Sequence, residues 1–281
     1  MNILVPIDFT PESKAGLLVA LDIASRTGAH ISLLHVIHEP APVGVLPKAD
    51  LVAKQQEINE EEHFMSELIR KMKGELKLLT EQLDTASVEV KSFLAFGSYN
   101  EGLEEHLEEH PADLIVMGSS GETSIAEWFK GNHATRTMRI ADIPTLVIKD
   151  NQKISLGGEL LVLVGIRDYR TESIARIREF AEAMRMNVHI AHVTEPHDLL
   201  HKSISDRLED FARAHGFTDY KVHVIESGQK VEQVQAFVEA WHIDVVASIS
   251  EGDSGIARLI YGSDTEDFIN HVDKPVLAVT M

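Results

Sequence analysis

The chain has 281 residues, 44% of them hydrophobic, enough for two packed domains of ordinary size. A formal charge of −19 offers no basic footprint for a phosphate backbone, which argues against nucleic acid as a direct partner, and the absence of cysteine excludes disulfides, thiolate metal sites and thiol catalysis. No apolar run approaches the roughly 20 residues of a membrane span, and Met1 to Pro6 reads as the start of a strand rather than a signal region, so a soluble cytoplasmic protein is expected.

From the N-terminus, Ile3 to Ile7 is a short apolar run ending at Asp8, the pattern of a buried strand. Thr10-Pro11-Glu12 then supplies a capping hydroxyl, a first-turn proline and an acid at the positive end of a helix dipole. Leu17, Leu18, Leu21 and Ala24 give that helix its apolar face, and Gly28 is placed to end it. His30 to Ile37 is the next strand, and the prolines and glycine of Glu39 to Pro47 make a loop. Beyond it, Phe64, Leu68, Met72, Leu76, Leu79 and Leu83 fall three or four residues apart and predict a long helix. Val88 to Phe96 is a third strand, Asn100 to His110 a polar-faced helix, and Leu114 to Met117 a short apolar strand. A glycine-punctuated loop, a helix through about Arg139 and a strand from Pro144 to Ile148 follow.

After a linker at Asn151 to Gly158 the order repeats, with strands at Leu160–Val164, Val188–Val193, Val222–Ile225, Ile243–Ala247 and Val276–Val279. Helices fall at Thr171–Arg185, near Leu199–Ala214, at Val231–Ala240 and before the last strand. The duplication shows residue by residue. Gly97 to Ile148 aligns without a gap on Gly228 to Val279, 131 positions on. Identities fall at Gly97/Gly228, Asp113/Asp244, Gly121/Gly252, Gly131/Gly262, Asp142/Asp273 and Pro144/Pro275. Glycine and proline mark turns and close backbone approaches, where coincidence is least expected. Strand–helix alternation with continuous apolar strands predicts α/β domains at 1–150 and 151–281, each a doubly wound parallel sheet covered on both faces. Ligands of such sheets sit beyond the carboxyl ends of the strands, which here means the loops beginning at Asp8 and at Gly118.

The second of those loops carries the chemistry. It reads Gly118-Ser119-Ser120-Gly121, then nine residues, then Gly131-Asn132-His133-Ala134 opening a helix. Residues without Cβ let a backbone come close to a phosphate, and a helix N-terminus turns unpaired N–H groups toward it. An acidic chain can hold a polyphosphate this way without a basic patch.

Gly-x-x-Gly, nine residues, then Gly and a hydroxyl residue is the nucleotide-loop signature of the universal stress protein family, and the chain resembles a tandem member over nearly its whole length. Asp8 at the end of strand one, Leu34-His35-Val36, the run Asp113 to Gly118 and Ile143 to Ile148 carry the same resemblance. It implies five-stranded sheets in the order 3-2-1-4-5 with a Rossmann-like adenine-nucleotide fold. It also implies a last strand that pairs with its counterpart, in a homodimer or in an intramolecular pseudo-dimer. The ligand implied is an adenine nucleotide, ATP with or without Mg²⁺. The residues carried over are Pro6, Asp8, Val36, Met117, Gly118, Ser120, Gly121, Gly131, Asn132 and His133. Asp8 and Val36 would place adenine and ribose; Gly118, Gly121, Gly131 and the residue after it would face the phosphates.

The copies depart from that pattern differently. Asn132 stands at the hydroxyl position, where its amide still donates to a phosphate oxygen. In the second copy Ser263 keeps the hydroxyl, but Ile249 replaces the first glycine and puts methyl groups where a phosphate would approach. Glu251, Asp253 and Asp264 add repulsion there. The first domain is therefore the expected nucleotide site and the second a degenerate one. His197 and His201, with His192 and Asp198, have helix-face spacing for a metal but read first as surface histidines, and His35, His38 and His63 have no fixed distances. Neither a Gly-x-x-x-x-Gly-Lys-Ser/Thr loop nor a nucleophile elbow in the expected place is present, so neither an enzyme nor a metal centre is expected. The expected function is stress-response signalling through nucleotide occupancy and protein partners not identified by the sequence. A nucleotide-free scaffold and a weak ATPase using Asp8 and His133 are the alternatives.

Overall fold

A computed structural model describes residues 1–37, 51–83, 88–119, 143–149, 152–165, 170–194, 201–226, 230–250 and 273–280. The first half contributes β1 (Asn2–Pro6), α1 (Pro11–Thr27), β2 (His30–Ile37), α2 (Leu51–Gln82), β3 (Val90–Phe96), α3 (Tyr99–Glu109), β4 (Leu114–Ser119) and β5 (Thr145–Lys149). The second contributes β6 (Glu159–Leu163), α4 (Thr171–Ala183), β7 (Asn187–Thr194), α5 (His201–Ala214), β8 (Tyr220–Glu226), α6 (Lys230–Ala240), β9 (Ile243–Ser250) and β10 (Val276–Thr280). The helices expected between β4 and β5 and between β9 and β10 fall outside the described residues.

The strands form one sheet in the order β3-β2-β1-β4-β5-β10-β9-β6-β7-β8. Each half has the order 3-2-1-4-5 with parallel neighbours throughout. The halves meet where β5 pairs antiparallel with β10, Val147 opposite Val276, Leu146 opposite Leu277 and Thr145 opposite Ala278. The two expected five-stranded sheets are thus one continuous sheet, and the pairing of last strands is intramolecular. The physical reason is legible in β5 and β10, which are apolar on both faces and buried. An edge strand of that composition is a template for other chains, and here each covers the other's edge.

The helix signals act as the chain's local chemistry dictates. The Thr10 hydroxyl accepts the Ser13 N–H at 3.2 Å, and Gly28, at φ 72°, closes α1 by donating its N–H to Ala24 O at 2.9 Å. Leu17, Ala20, Ile23 and Ala24 form the buried face of α1, whereas Leu18 lies exposed on its flank. In α2, Leu76 is buried and Leu79 packs against the same cluster, as does Leu83 just past the helix, while Phe64 stands in solvent. The linker is packed rather than loose: Ile154 is buried, and Gly157, at φ 74°, donates to Met184 O. No helix among the described residues is long and apolar enough to cross a membrane.

Candidate functional site

The site is built where β1 leaves the sheet. Ile7 donates its N–H to Leu34 O at 2.8 Å, and its own carbonyl meets His35 Nδ1 at 2.7 Å. That second bond makes Nδ1 the protonated nitrogen of the His35 ring and leaves Nε2 to face elsewhere. Asp8 follows, and its Oδ1 accepts both the Thr10 N–H at 3.0 Å and the Thr10 hydroxyl at 2.6 Å. The Ser13 hydroxyl accepts the Asp8 N–H and donates to Thr10 O. Between them Phe9 is held at φ 67°, an uncommon conformation for a bulky residue, with its ring 4.9 Å from that of His35. Burial pushes the Asp8 carboxyl up, but the Thr10 and Ser13 hydroxyls and the Thr10 N–H outweigh it and hold the group below its ordinary value. Asp8 is therefore an exposed, ionised carboxylate with Oδ2 outside these bonds.

A cavity of ≈ 400 Å³ opens beside this loop. Pro6, Asp8, Val36, Met117 and Gly118, all expected from sequence, line it together. Glu12, Ser13, His35 and Tyr99 line it too, and sequence reasoning did not assign them to the site. For His35 a signal existed: the second copy repeats it as His192, whose Nδ1 bonds Val164 O at 2.9 Å, the counterpart of Ile7 O. Tyr99 is positioned by the turn before it. Gly97 takes φ 104°, Ser98 caps α3 by accepting the Glu101 N–H, and the Glu101 carboxylate returns to the Ser98 N–H at 3.0 Å. Replacing Ser98 with alanine is expected to lower stability by about 1 kcal/mol, measured as a shifted urea midpoint at constant slope.

Gly118 behaves differently from the expectation. It belongs to β4, opposite Ile148 of β5, rather than to the loop. A Cβ built on it would overlap the Glu12 carbonyl and come within 2.9 Å of Ser13 N. The bare Cα is therefore required by the first turn of α1, whatever approaches from the cavity. In the second copy Ile249 occupies the same register position, opposite Val279 of β10, and its side chain is buried in the main apolar cluster. Ser120, Gly121, Gly131, Asn132 and His133 lie outside the described residues, as do Glu251, Asp253, Ser263 and Asp264. Of the residues weighed for a metal, His192 is tied to Val164 O, while His197 and Asp198 are also outside. Among the described residues no group of three His, Cys, Asp or Glu side chains is placed to hold a metal ion.

Comparison with known proteins agrees with this architecture. The universal stress protein family matches residues 1–149 and again 161–280. A universal stress protein of Mycolicibacterium smegmatis is 25% identical over 99% of this chain and 96% of its own length. One of Methanocaldococcus jannaschii is 26% identical over 53% of this chain and 94% of its own. The crystal structure of a universal stress protein from Archaeoglobus fulgidus superposes with a TM-score of 0.69 at 20% identity, covering 99% of this chain and 96% of that one. With two matched segments spanning both halves, the chain belongs to the universal stress protein family.

Proposed function

We propose that the first copy binds an adenine nucleotide, that the second copy does not, and that occupancy is read by protein partners in the cytoplasm rather than turned over. The observation that carries this reading is the cavity at the carboxyl ends of β1 and β4, with ionised Asp8 at one side and Val36 and Met117 forming an apolar wall. Ribose hydroxyls suit the unengaged Asp8 oxygen, and the base suits the apolar wall. The main-chain N–H groups of the loop that starts after Ser119 would complete the phosphate side. Ile249 packs into the core at the position of Gly118, so the proposed asymmetry rests on Glu251, Asp253 and Asp264, the acidic residues beside the second copy's loop in sequence. A bound Mg²⁺ would be served by Asp8 and by the nucleotide's own phosphates.

Calorimetric titration of the full chain tests the proposal. Universal stress proteins have been solved in complex with cAMP and with dAMP, so both accompany ATP, with and without Mg²⁺. One site per chain is expected, and Asp8→Ala should weaken it about tenfold or more, the loss of a hydrogen bond to a charged group. Heats that stay flat to millimolar nucleotide, with the protein folded, would replace this reading by the scaffold alternative.

A further inference from the structure

Three titratable side chains meet in the second copy, far along the strands from the loops where ligands of such sheets bind. Glu159 begins β6, His189 lies on β7 and His223 on β8. His189 Nε2 is 2.7 Å from Glu159 Oε2, and His189 Nδ1 is 3.0 Å from His223 Nε2. The His189 side chain is fully buried, and Asn187 donates to the other Glu159 oxygen at 2.9 Å. The two imidazole planes lie within 10° of each other with centroids 5.0 Å apart, the near-coplanar arrangement of rings joined edge to edge. Trp241, just past α6, lies 4.9 Å from one ring and 5.0 Å from the other, with the Lys221 ammonium 5.0 Å from the indole centroid.

The hydrogen bonds dictate where the protons are. Burial raises the Glu159 carboxyl, but its bonds from His189 and Asn187 outweigh that and hold it below the ordinary range, so it is ionised. The ionised carboxylate requires a proton on His189 Nε2. In the neutral pair His189 Nδ1 is then the acceptor, and His223 Nε2 donates to it. A proton arriving at His223 Nδ1 lets the Nε2 proton pass to His189 Nδ1. The charge then rests on His189 against Glu159, and His223 is neutral again in its other tautomer. Burial first, and then the charges of His189 and Lys221, push the His223 ring down to about 4.

We propose that Glu159, His189 and His223 form an acid-responsive relay that takes up one proton and signals it to Trp241 and the β8 edge of the sheet. The groups facing it are Lys221 from β8, the Asn187 amide from β7, the Phe237 ring of α6 and the Trp241 ring just past it. Asp244 of β9 is turned to the Glu159 N–H at 2.9 Å. An imidazolium beside the indole repels the Lys221 ammonium that shares that ring, and this links proton uptake to the sheet edge. The first copy has Asn2, Ser32 and Phe93 at the matching positions, so the relay belongs to the second copy alone. It stands apart from the nucleotide proposal.

Indole emission is quenched by a neighbouring imidazolium, which gives the test. In a Trp128→Phe background Trp241 is the sole indole, and its emission should fall in one step as pH is lowered while circular dichroism shows the fold intact. Glu159→Gln should lower the midpoint by about one pH unit or more, the usual effect of removing an adjacent opposite charge. His223→Phe, which installs the first copy's residue, should remove the step. An emission flat down to acid unfolding, a midpoint unmoved in Glu159→Gln, or a step that survives His223→Phe overturns the relay.

Discussion

Replacing Gly118 with alanine lowers stability by about 3 kcal/mol, the upper end for overpacking a well-packed core. The size follows from what the methyl would meet. Its neighbours are the Glu12 carbonyl and Ser13 N, backbone atoms of the first turn of α1 that cannot rotate away. Gly16, one turn on, is constrained less severely, since a Cβ there would stand 2.8 Å from Gly118 N and 3.1 Å from Met117 C. Two residues without side chains therefore let α1 lie directly on the end of β4. Urea denaturation checks the effect, with Gly74→Ala as the control: Gly74 lies in α2 with nothing near its missing Cβ, and alanine there should stabilise by about 1 kcal/mol through helix propensity. Because the Asp8 loop is tied to Ser13, Gly118→Ala should also disturb the cavity, and nucleotide affinity should fall with stability. An unchanged urea midpoint would mean that α1 can slide away from β4.

Much of this was legible in the chain. Thr10-Pro11-Glu12 and Gly28 bound α1 because capping is local chemistry, and the continuous apolar strands announced a sheet covered on both faces. The repeat placed the second copy, and the resemblance supplied its strand order. What stayed hidden depends on approach in space. Gly118 and Gly16 are 102 residues apart in sequence (118 − 16), and nothing in either neighbourhood says that one is bare because of the other. Spacing pointed to phosphate approach at Gly118; the structure adds a packing demand that would preserve the residue in a family member binding nothing. Phe9 carries no sequence mark of its left-handed backbone, which its loop bonds and the His35 ring impose. The histidines with helix-face spacing, His197 and His201, are close in sequence. The ones that meet, His189 and His223, are brought together by parallel strand register.

Those hidden histidines have a counterpart in the first copy. Phe93 on β3 is flanked by His106 and His110 of α3, each with its ring 4.6 Å from the phenyl. The matching positions of the second copy hold His223, Phe237 and Trp241. Each copy thus fills the space between edge strand and helix with aromatic and imidazole rings, but exchanges which element supplies them. In the first copy the histidines are on the helix beside Phe93; in the second they are on the strands, where His189 reaches Glu159 and His223 bonds His189. The same packing volume therefore holds an imidazole nitrogen without a hydrogen-bond partner among the described residues in one copy and a carboxylate-linked imidazole pair in the other.

Acidification from pH 7.5 to 5 is accordingly expected to destabilise the first copy by about 2 kcal/mol through His106 alone. His106 is 6% exposed, and its Nε2 has no hydrogen-bond partner among the described residues. Burial first, and then the like charge of His110, push it down from 6.5 to about 4. Because the folded value is the lower one, the unfolded chain binds more protons between these limits. Stability is then complete above about pH 6.5 and is lost as pH falls toward 4, by about 1.4 kcal/mol per unit. His106→Leu removes the orphaned nitrogen while keeping the packing, so urea midpoints at the two pH values should converge by that same 2 kcal/mol, with a gain in stability at pH 5. His223, pushed down to about 4 in the second copy, contributes with the same sign, so the variant flattens the profile without abolishing it. If the pH 5 loss is undiminished in His106→Leu, the ring is already charged in the folded chain, and the apolar account of the α3–β3 contact is wrong.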